Sequence, residues 1–255
     1  QVDGIGPHGE ILMDYAIYDA LRAGFGKVVF IIKPEMREMM ERRCACLTGR
    51  TGPDGGPVEV RHVYQDFSSI PGFYKIPEGR TRPFGTVHAL LCAARAVEEP
   101  CCVINADDFY GPDAYRTMAQ ALRSLPEAGH AAMVGYLLKN TASLHGTVTR
   151  GLCVWREGFL DSVQETRNIQ LYPDGTLRDL GNDRLLDPDA LVSMNFWGFM
   201  PSIFPVLRRD FEEFLRSAGD DPRAERLLPE MVDDQIRRGG LKVSVLSSAG
   251  QWFGM

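Results

Sequence analysis

An apolar run, Cys101, Cys102, Val103 and Ile104, stops on two adjacent carboxylates, Asp107 and Asp108, before Phe109, Tyr110 and Gly111. Successive side chains of a strand point to opposite faces, so the two carboxylates cannot both address one ligand if the strand continues that far. One of them is expected to be the working group. In an open parallel sheet, ligands bind beyond the carboxyl ends of the strands, where loops and helix N-termini gather. A carboxylate delivered there suits Mg²⁺, a hard cation that takes one or two carboxylates together with substrate phosphate oxygens. The plainer reading is that Asp107 caps the helix beginning near Pro112, or that both aspartates form a solvated turn.

Two further stretches carry candidate chemistry. In RPFGTVHALLCAARA, Gly85 and Thr86 stand at the start of an amphipathic helix. A missing side chain there allows close backbone approach to a ligand, and free amides favour an anion or a base carbonyl. On this reading Gly85→Val weakens ligand binding with little loss of fold. An ordinary helix start explains the same residues, and His88, inside that helix, reads as a packing histidine. In HGTVTRG (145 to 151) and SVQETRNI (162 to 169), Glu165 beside Arg167 could accept hydrogen bonds from hydroxyls, although a surface ion pair accounts for it as well.

The elements that must position these groups follow from periodicity. Apolar residues recur at helical spacing from Ile11 to Ala23, and Gly24 and Gly26 supply a stop before KVVFII (27 to 32), a β-branched run short enough to be a buried strand. Pro34 sits where a first helical turn accepts it. A half-buried strand over 58 to 65, a helix over 86 to 97, a strand over 102 to 106 and a helix over 113 to 125 come next. This alternation predicts a largely parallel sheet covered on both faces. After residue 130 strands follow one another without helices, YPDGTL carries a hairpin-type turn, and helices return at 208 to 217 and 224 to 238 before a strand over 241 to 246. With no repeat and no clear linker, the second half is expected to extend the same sheet in one composite domain.

The 255 residues, 44% hydrophobic and 24% charged, are globular in composition, and a net charge of −6 argues against a nucleic-acid partner. No apolar stretch approaches the roughly 18 residues of a membrane span, and the start lacks the layout of a signal peptide, so a soluble cytoplasmic protein is the expectation. The six cysteines lack zinc-site spacing and read as structural thiols. A chain that starts at Gln1 and stops at QWFGM, straight after a strand-like LKVSVL, reads as a fragment.

In order along the chain, QVDGIGPHGEILMDYAIYDALRAGFGKVVFII, VYQ, PFGTVHAL, VINADDFYG, LHGTVTRG, VQETRNI and MNFWGFMPSIF resemble the sugar-phosphate nucleotidyltransferases, also called nucleotide-sugar pyrophosphorylases. The resemblance implies an α/β fold, three-layer α/β/α with a mixed, mainly parallel, Rossmann-like sheet. It implies that the phosphate of a sugar 1-phosphate attacks the α-phosphorus of a nucleoside triphosphate, giving a nucleotide-sugar and pyrophosphate. By matching positions, Gln1, Gln65, Gly85 and Thr86 fall on the nucleotide side. Asp107 holds Mg²⁺ as the catalytic carboxylate, with Asp108 a neighbour, and Gly146, Glu165 and Asn195 line the sugar side. Several features depart from the family. Its Gly-rich signature loop with an Arg, and the first strand of its sheet, precede Gln1, and its phosphate-binding Lys falls just before Gln1. Thr166 and Arg167 stand where a Lys follows the sugar-site Glu, and a second metal-binding Asp has no counterpart before Met255. The fragment alone is therefore expected to turn over negligibly and to self-associate, and a homo-oligomer is compatible with the sequence. The competing readings are a non-catalytic nucleotide-sugar binding or regulatory protein and a metal-dependent glycosyltransferase of related fold.

Overall fold

The computed structural model of the chain describes residues 4–47, 49–248 and 250–254, so Gln1 lies outside the described residues. Helix α1 (Leu12–Ala23) begins where Asp14 accepts the Ile11 N–H at 2.9 Å and ends at Gly24, whose φ of +107° only glycine adopts readily. It leads into β1 (Lys27–Ile32), then α2 (Arg37–Cys44) behind a 3₁₀ turn that opens on Pro34, and β2 (Glu59–Tyr64). Strands β1 and β2 pair in parallel from Lys27 opposite Glu59 to Ile32 opposite Tyr64. Helix α3 (Thr86–Cys92) is shorter than its apolar pattern predicts, because Ala94 and Ala96 tighten into i→i+3 turns on Leu91 and Ala93.

Next come β3 (Cys101–Val103), β4 (Asp108–Phe109) and α4 (Pro112–Ser124), followed by β5 (His130–Leu137), β6 (Val148–Arg156) and β7 (Phe159–Leu171). The chain continues through β8 (Leu177–Asp179), β9 (Arg184–Leu186), β10 (Leu191–Phe199), α5 (Ile203–Ala218), α6 (Leu228–Arg237), β11 (Lys242–Ser247) and β12 (Phe253–Gly254). The large sheet runs β11-β5-β10-β6-β7-β8-β9, with β3 added to β10. A further contact of β11 with β7, Ser244 opposite Phe159, closes part of this path on itself.

The sheet is mixed, and the mainly parallel arrangement expected from the alternation of elements is not what forms. Among the described residues parallel pairing is confined to β1 with β2 and β5 with β11, and the other ladders are antiparallel. Connection length accounts for one part: β6, β7, β8 and β9 follow one another through short turns that permit only antiparallel neighbours. The other part is β10, which pairs antiparallel with β3, β5 and β6, none of them its neighbour in the chain.

Both faces of the sheet are packed. Along β5, Ala131 and Met133 join Phe84, Val87, Trp197, Phe211 and Met231 beneath α3, α5 and α6. The alternate residues Ala132, Val134 and Tyr136 join Ala16, Tyr115, Met118 and Phe196 beneath α1 and α4. All six cysteines are free, and burial pushes the Cys101 and Cys153 thiols up to about 12, which suits packing rather than chemistry. Among the described residues no helix is long and apolar enough to cross a membrane.

Candidate functional site

The turn after β3 carries Asp107 and Asp108, and they part company there. Asp107 lines a cavity of about 880 Å³ together with Gln65 and Thr86, which follow β2 and open α3. Asp108 lines a different cavity, of about 980 Å³, together with Asn105, Glu165 and Asn195. The strand does not reach them: β3 ends at Val103, Asp107 lies in the turn and Asp108 opens β4, so the turn rather than alternation along one strand sends the two carboxylates into different cavities, and Asp108 is more than a neighbour. It is 6% exposed, and its Oδ2 accepts from Asn105 Nδ2 at 2.9 Å and lies 3.0 Å from the Tyr110 hydroxyl. Burial pushes its pKa up, against the pull of those hydrogen bonds from Asn105 and Tyr110. Pairing of β4 with β12, Asp108 opposite Gly254, holds the turn in place and brings Trp252 into the second cavity.

At Gly85 the protein's own backbone makes a close approach. Gly85 has φ +89°, and a Cβ built there would lie 2.5 Å from the carbonyl oxygen and 2.9 Å from the nitrogen of Arg226. The chain is stitched together at this point. Arg226 N donates to Phe84 O at 2.9 Å, Val87 N donates to Arg226 O at 3.2 Å, and Gln65 Nε2 donates to Gly85 O at 3.0 Å. The expectation that Gly85→Val spares the fold is therefore overturned, because the space a side chain needs is filled by backbone. Thr86 is also committed, since its hydroxyl accepts the Leu228 N–H at 2.7 Å and so caps α6. Arg80 braces the same junction, donating to the carbonyls of Arg82, Pro83 and Ala224 with its guanidinium 3.6 Å from the centre of the Phe84 ring.

Of the residues expected on the sugar side, Asn195 and Glu165 line the second cavity, whereas Gly146 is exposed and lines neither. Asn195 owes its placement to a bulge. The register of β10 against β5 shifts between Ser193 and Trp197, and Asn195 takes φ +61°, a strained setting that re-aims a side chain out of the regular pleat. Glu165 makes the surface ion pair with Arg167, at 2.8 Å, that its sequence neighbours allow. His88 is the packing residue it reads as. Fully buried and stacked on Phe211, it accepts the Phe84 N–H at Nδ1, which leaves Nε2 to donate to Ser69 Oγ at 3.0 Å.

The second cavity also draws on Arg150, from the HGTVTRG stretch, and on residues that no local motif marks, Arg226, Asp233, Arg237 and Trp252. Arg226 binds both oxygens of buried Asp210, at 2.9 and 2.7 Å, and Asp234 at 2.7 Å. Asp233 accepts the Val163 N–H at 2.9 Å and pairs with Arg237. Arg150 lies on β6, its guanidinium 4.8 Å from the centre of the Trp252 ring. Paired carboxylates, guanidinium groups, amides and an indole make a wall suited to a polyhydroxylated ligand carrying one anionic group. For the four that no motif marks the signal is long-range, because α6, Arg226 ahead of it and Trp252 ahead of β12 reach the cavity only through tertiary packing. As a cation site the turn is sparse. Among the described residues no group of three His, Cys, Asp or Glu side chains converges to hold a metal. Asp107 would offer a hard cation such as Mg²⁺ a single carboxylate.

No family model and no curated protein matches the chain. Solved structures do. A putative glucose-1-phosphate thymidylyltransferase from Bacillus anthracis, in complex with a sucrose, superposes with a TM-score of 0.58 at 13% identity, over 95% of this chain and 76% of that one. A UDP-glucose pyrophosphorylase complexed with UDP-glucose superposes with a TM-score of 0.52 at 16% identity, over 96% of this chain and 79% of its own. The chain shares their fold. At such identities the likeness speaks for architecture, and residue roles must come from this site itself.

Proposed function

We propose that the chain is the core of a sugar-phosphate nucleotidyltransferase. The observation that carries this reading is the placement of the Asp107–Asp108 turn between two cavities of about 880 and 980 Å³, one holding Gln65, Thr86 and Asp107, the other Asp108, Glu165 and Asn195. Two ligands approaching one turn from opposite sides is the arrangement a two-substrate transfer needs, and the shared fold of the two solved structures supports it.

In the reaction, a phosphate oxygen of a sugar 1-phosphate forms a bond to the α-phosphorus of a nucleoside triphosphate. The bond from that phosphorus to the bridging oxygen breaks, and pyrophosphate leaves with the electron pair. The protein's part is positioning and charge placement, with no protein nucleophile. Gln65, fixed by its bond to Gly85 O, keeps its amide oxygen and second N–H for a base edge. Asn195 and Glu165 receive sugar hydroxyls, and Asp108, buried and oriented by Asn105 and Tyr110, accepts another. Mg²⁺, held by Asp107 when bound, would neutralise phosphate charge.

The test is pyrophosphate release from a panel of nucleoside triphosphates paired with sugar 1-phosphates, measured for the chain and for its Asp107→Asn variant. Release that requires both substrates and is lost in Asp107→Asn is the expected result. Tight binding of a nucleotide-sugar without any release would establish a binding protein instead. Transfer of sugar from a nucleotide-sugar with no pyrophosphate formed would establish a glycosyltransferase.

A further inference from the structure

Among the described residues, the guanidinium groups that line the second cavity are those of Arg150, Arg226 and Arg237. Two of them are neutralised by carboxylates. Arg226 pairs with Asp210 and Asp234, and Arg237 with Asp233. Arg150 instead donates to carbonyls: Nε to Thr141 O at 3.1 Å, Nη2 to the same oxygen and Nη1 to Thr149 O at 2.8 Å, with no carboxylate at ion-pair distance among the described residues. A guanidinium carries five N–H groups, so these three bonds leave one on each terminal nitrogen. The side chain is half-buried, and burial pulls its pKa below the ordinary guanidinium value, opposed by the charge of Asp108. A cation drawn out of water without a counter-ion costs stability, which an anionic ligand would restore. Arg80 makes the contrast. Buried, it commits four N–H groups to carbonyls and lines neither cavity.

The neighbours of Arg150 define its place. It stands opposite Thr166 in the β6–β7 ladder, one step from the pairing of Gly151 with Glu165. Thr166 is buried and uncharged, and Arg167 turns to Glu165 and does not line the cavity, so β7 brings no cation to this wall. Trp252 backs the guanidinium, 4.8 Å from its ring centre. Asp108, whose charge reaches Arg150, is hydrogen-bonded to Asn105, and Asn105 lines both cavities. Arg150 therefore belongs to the side of the second cavity that adjoins the turn.

We propose that Arg150 is the phosphate-binding group of the second cavity, and that its two remaining N–H groups receive the phosphate of the sugar 1-phosphate. The proposal rests on the reading of that cavity as the sugar side. Place favours a phosphate over the carboxylate of an acidic sugar, because the group that must reach across the turn toward the first cavity is the attacking phosphate. Chemistry agrees. A guanidinium matches phosphate oxygens with paired donors, and here its plane is set in advance by the bonds to Thr141 and by the indole face. Its charge also offsets the repulsion that Asp108 exerts on a phosphate, which leaves Asp108 free to accept a sugar hydroxyl.

The experiment titrates glucose 1-phosphate, glucose, glucuronic acid and a nucleoside triphosphate into the chain and into its Arg150→Gln and Arg150→Lys variants by calorimetry, with circular dichroism to confirm that each is folded. Arg150→Gln is expected to weaken glucose 1-phosphate at least ~10-fold while leaving glucose and the triphosphate unchanged. Arg150→Lys should recover part of the loss, since it keeps the charge without the fork. Equal affinity of the parent and Arg150→Gln for glucose 1-phosphate overturns the proposal. So does equal weakening of glucose 1-phosphate and the triphosphate, which is the mark of a packing role, and so does a parent that binds glucose 1-phosphate no better than glucose. Glucuronic acid bound as tightly as glucose 1-phosphate also overturns it, because the site then reads a carboxylate. Pyrophosphate release separates this proposal from the reaction it rests on. Phosphate-specific loss in Arg150→Gln with no release by the parent keeps the anion site and removes the reaction, whereas release by Arg150→Gln with an unchanged KM for the sugar 1-phosphate keeps the reaction and removes the anion site.

Discussion

Replacing Gly85 by alanine isolates the junction on which both cavities depend. The backbone at Gly85, φ +89° and ψ −169°, lies in a region that residues with a side chain scarcely populate. Adopting it costs about 1–3 kcal/mol. The new methyl would also sit 2.5 Å from Arg226 O and 2.9 Å from Arg226 N, with no flexible side chain to give way. Relief requires the Phe84–Val87 segment to move away from Arg226, at an overpacking cost of about 1–3 kcal/mol. The two contributions together come to roughly 2–6 kcal/mol, and at ~2–4 °C for each kcal/mol the melting temperature should fall by about 4 °C at the least. The loss should appear with no ligand present, by thermal melting followed with circular dichroism. A Gly85→Ala variant that melts within ~2 °C of the parent yet binds nucleotide poorly would refute this reasoning and return Gly85 to the role of a ligand-approach glycine.

Two further outcomes are expected. Asp107→Asn should weaken Mg²⁺-nucleoside triphosphate binding by about 10-fold or more while sparing sugar 1-phosphate, and Asp108→Asn should do the reverse; calorimetric titrations that find equal losses of both ligands in both variants would reject the assignment of the two carboxylates to separate cavities. Burial holds the His88 pKa down to about 4 against an ordinary 6.5, so the fold favours the neutral ring. Its contribution is whole above pH 6.5 and is lost as pH falls toward 4, a drop of roughly 3 kcal/mol. Urea unfolding at pH 7 and pH 4 should show that gap narrowed in His88→Gln, and an unchanged gap would mean that His88 titrates normally.

Much of the local structure is legible in the residues. The β-branched KVVFII forms β1 over the bounds that its composition marks, and α1 stops at the glycine able to take a left-handed turn. Pro34 and Pro112 both stand where a helical turn opens. These are outcomes of steric preference within a few residues, and no distant partner is needed to decide them. Strand β10 is different. Leu191–Phe199 is buried on both faces and interrupted by a bulge, so it shows no alternation, yet it is the strand on which β3, β5 and β6 all pair.

The residues by themselves mark a strand that stops near two adjacent carboxylates, but alternation does not separate Asp107 from Asp108, because β3 ends at Val103 and Asp107 lies in the turn before β4. Which carboxylate meets which cavity was decided by the tertiary structure, through the pairing of β4 with β12 and the arrival of Glu165 and Asn195 beside Asp108. The reading of Gly85 turned on the same distinction. Its helix-start position is written in the neighbouring residues, but its need for a bare Cα comes from Arg226, a residue 141 positions away that donates to Phe84 and accepts from Val87. Contacts of that span are selected by the packing of whole elements, and a segment's own residues carry no record of which partner will arrive.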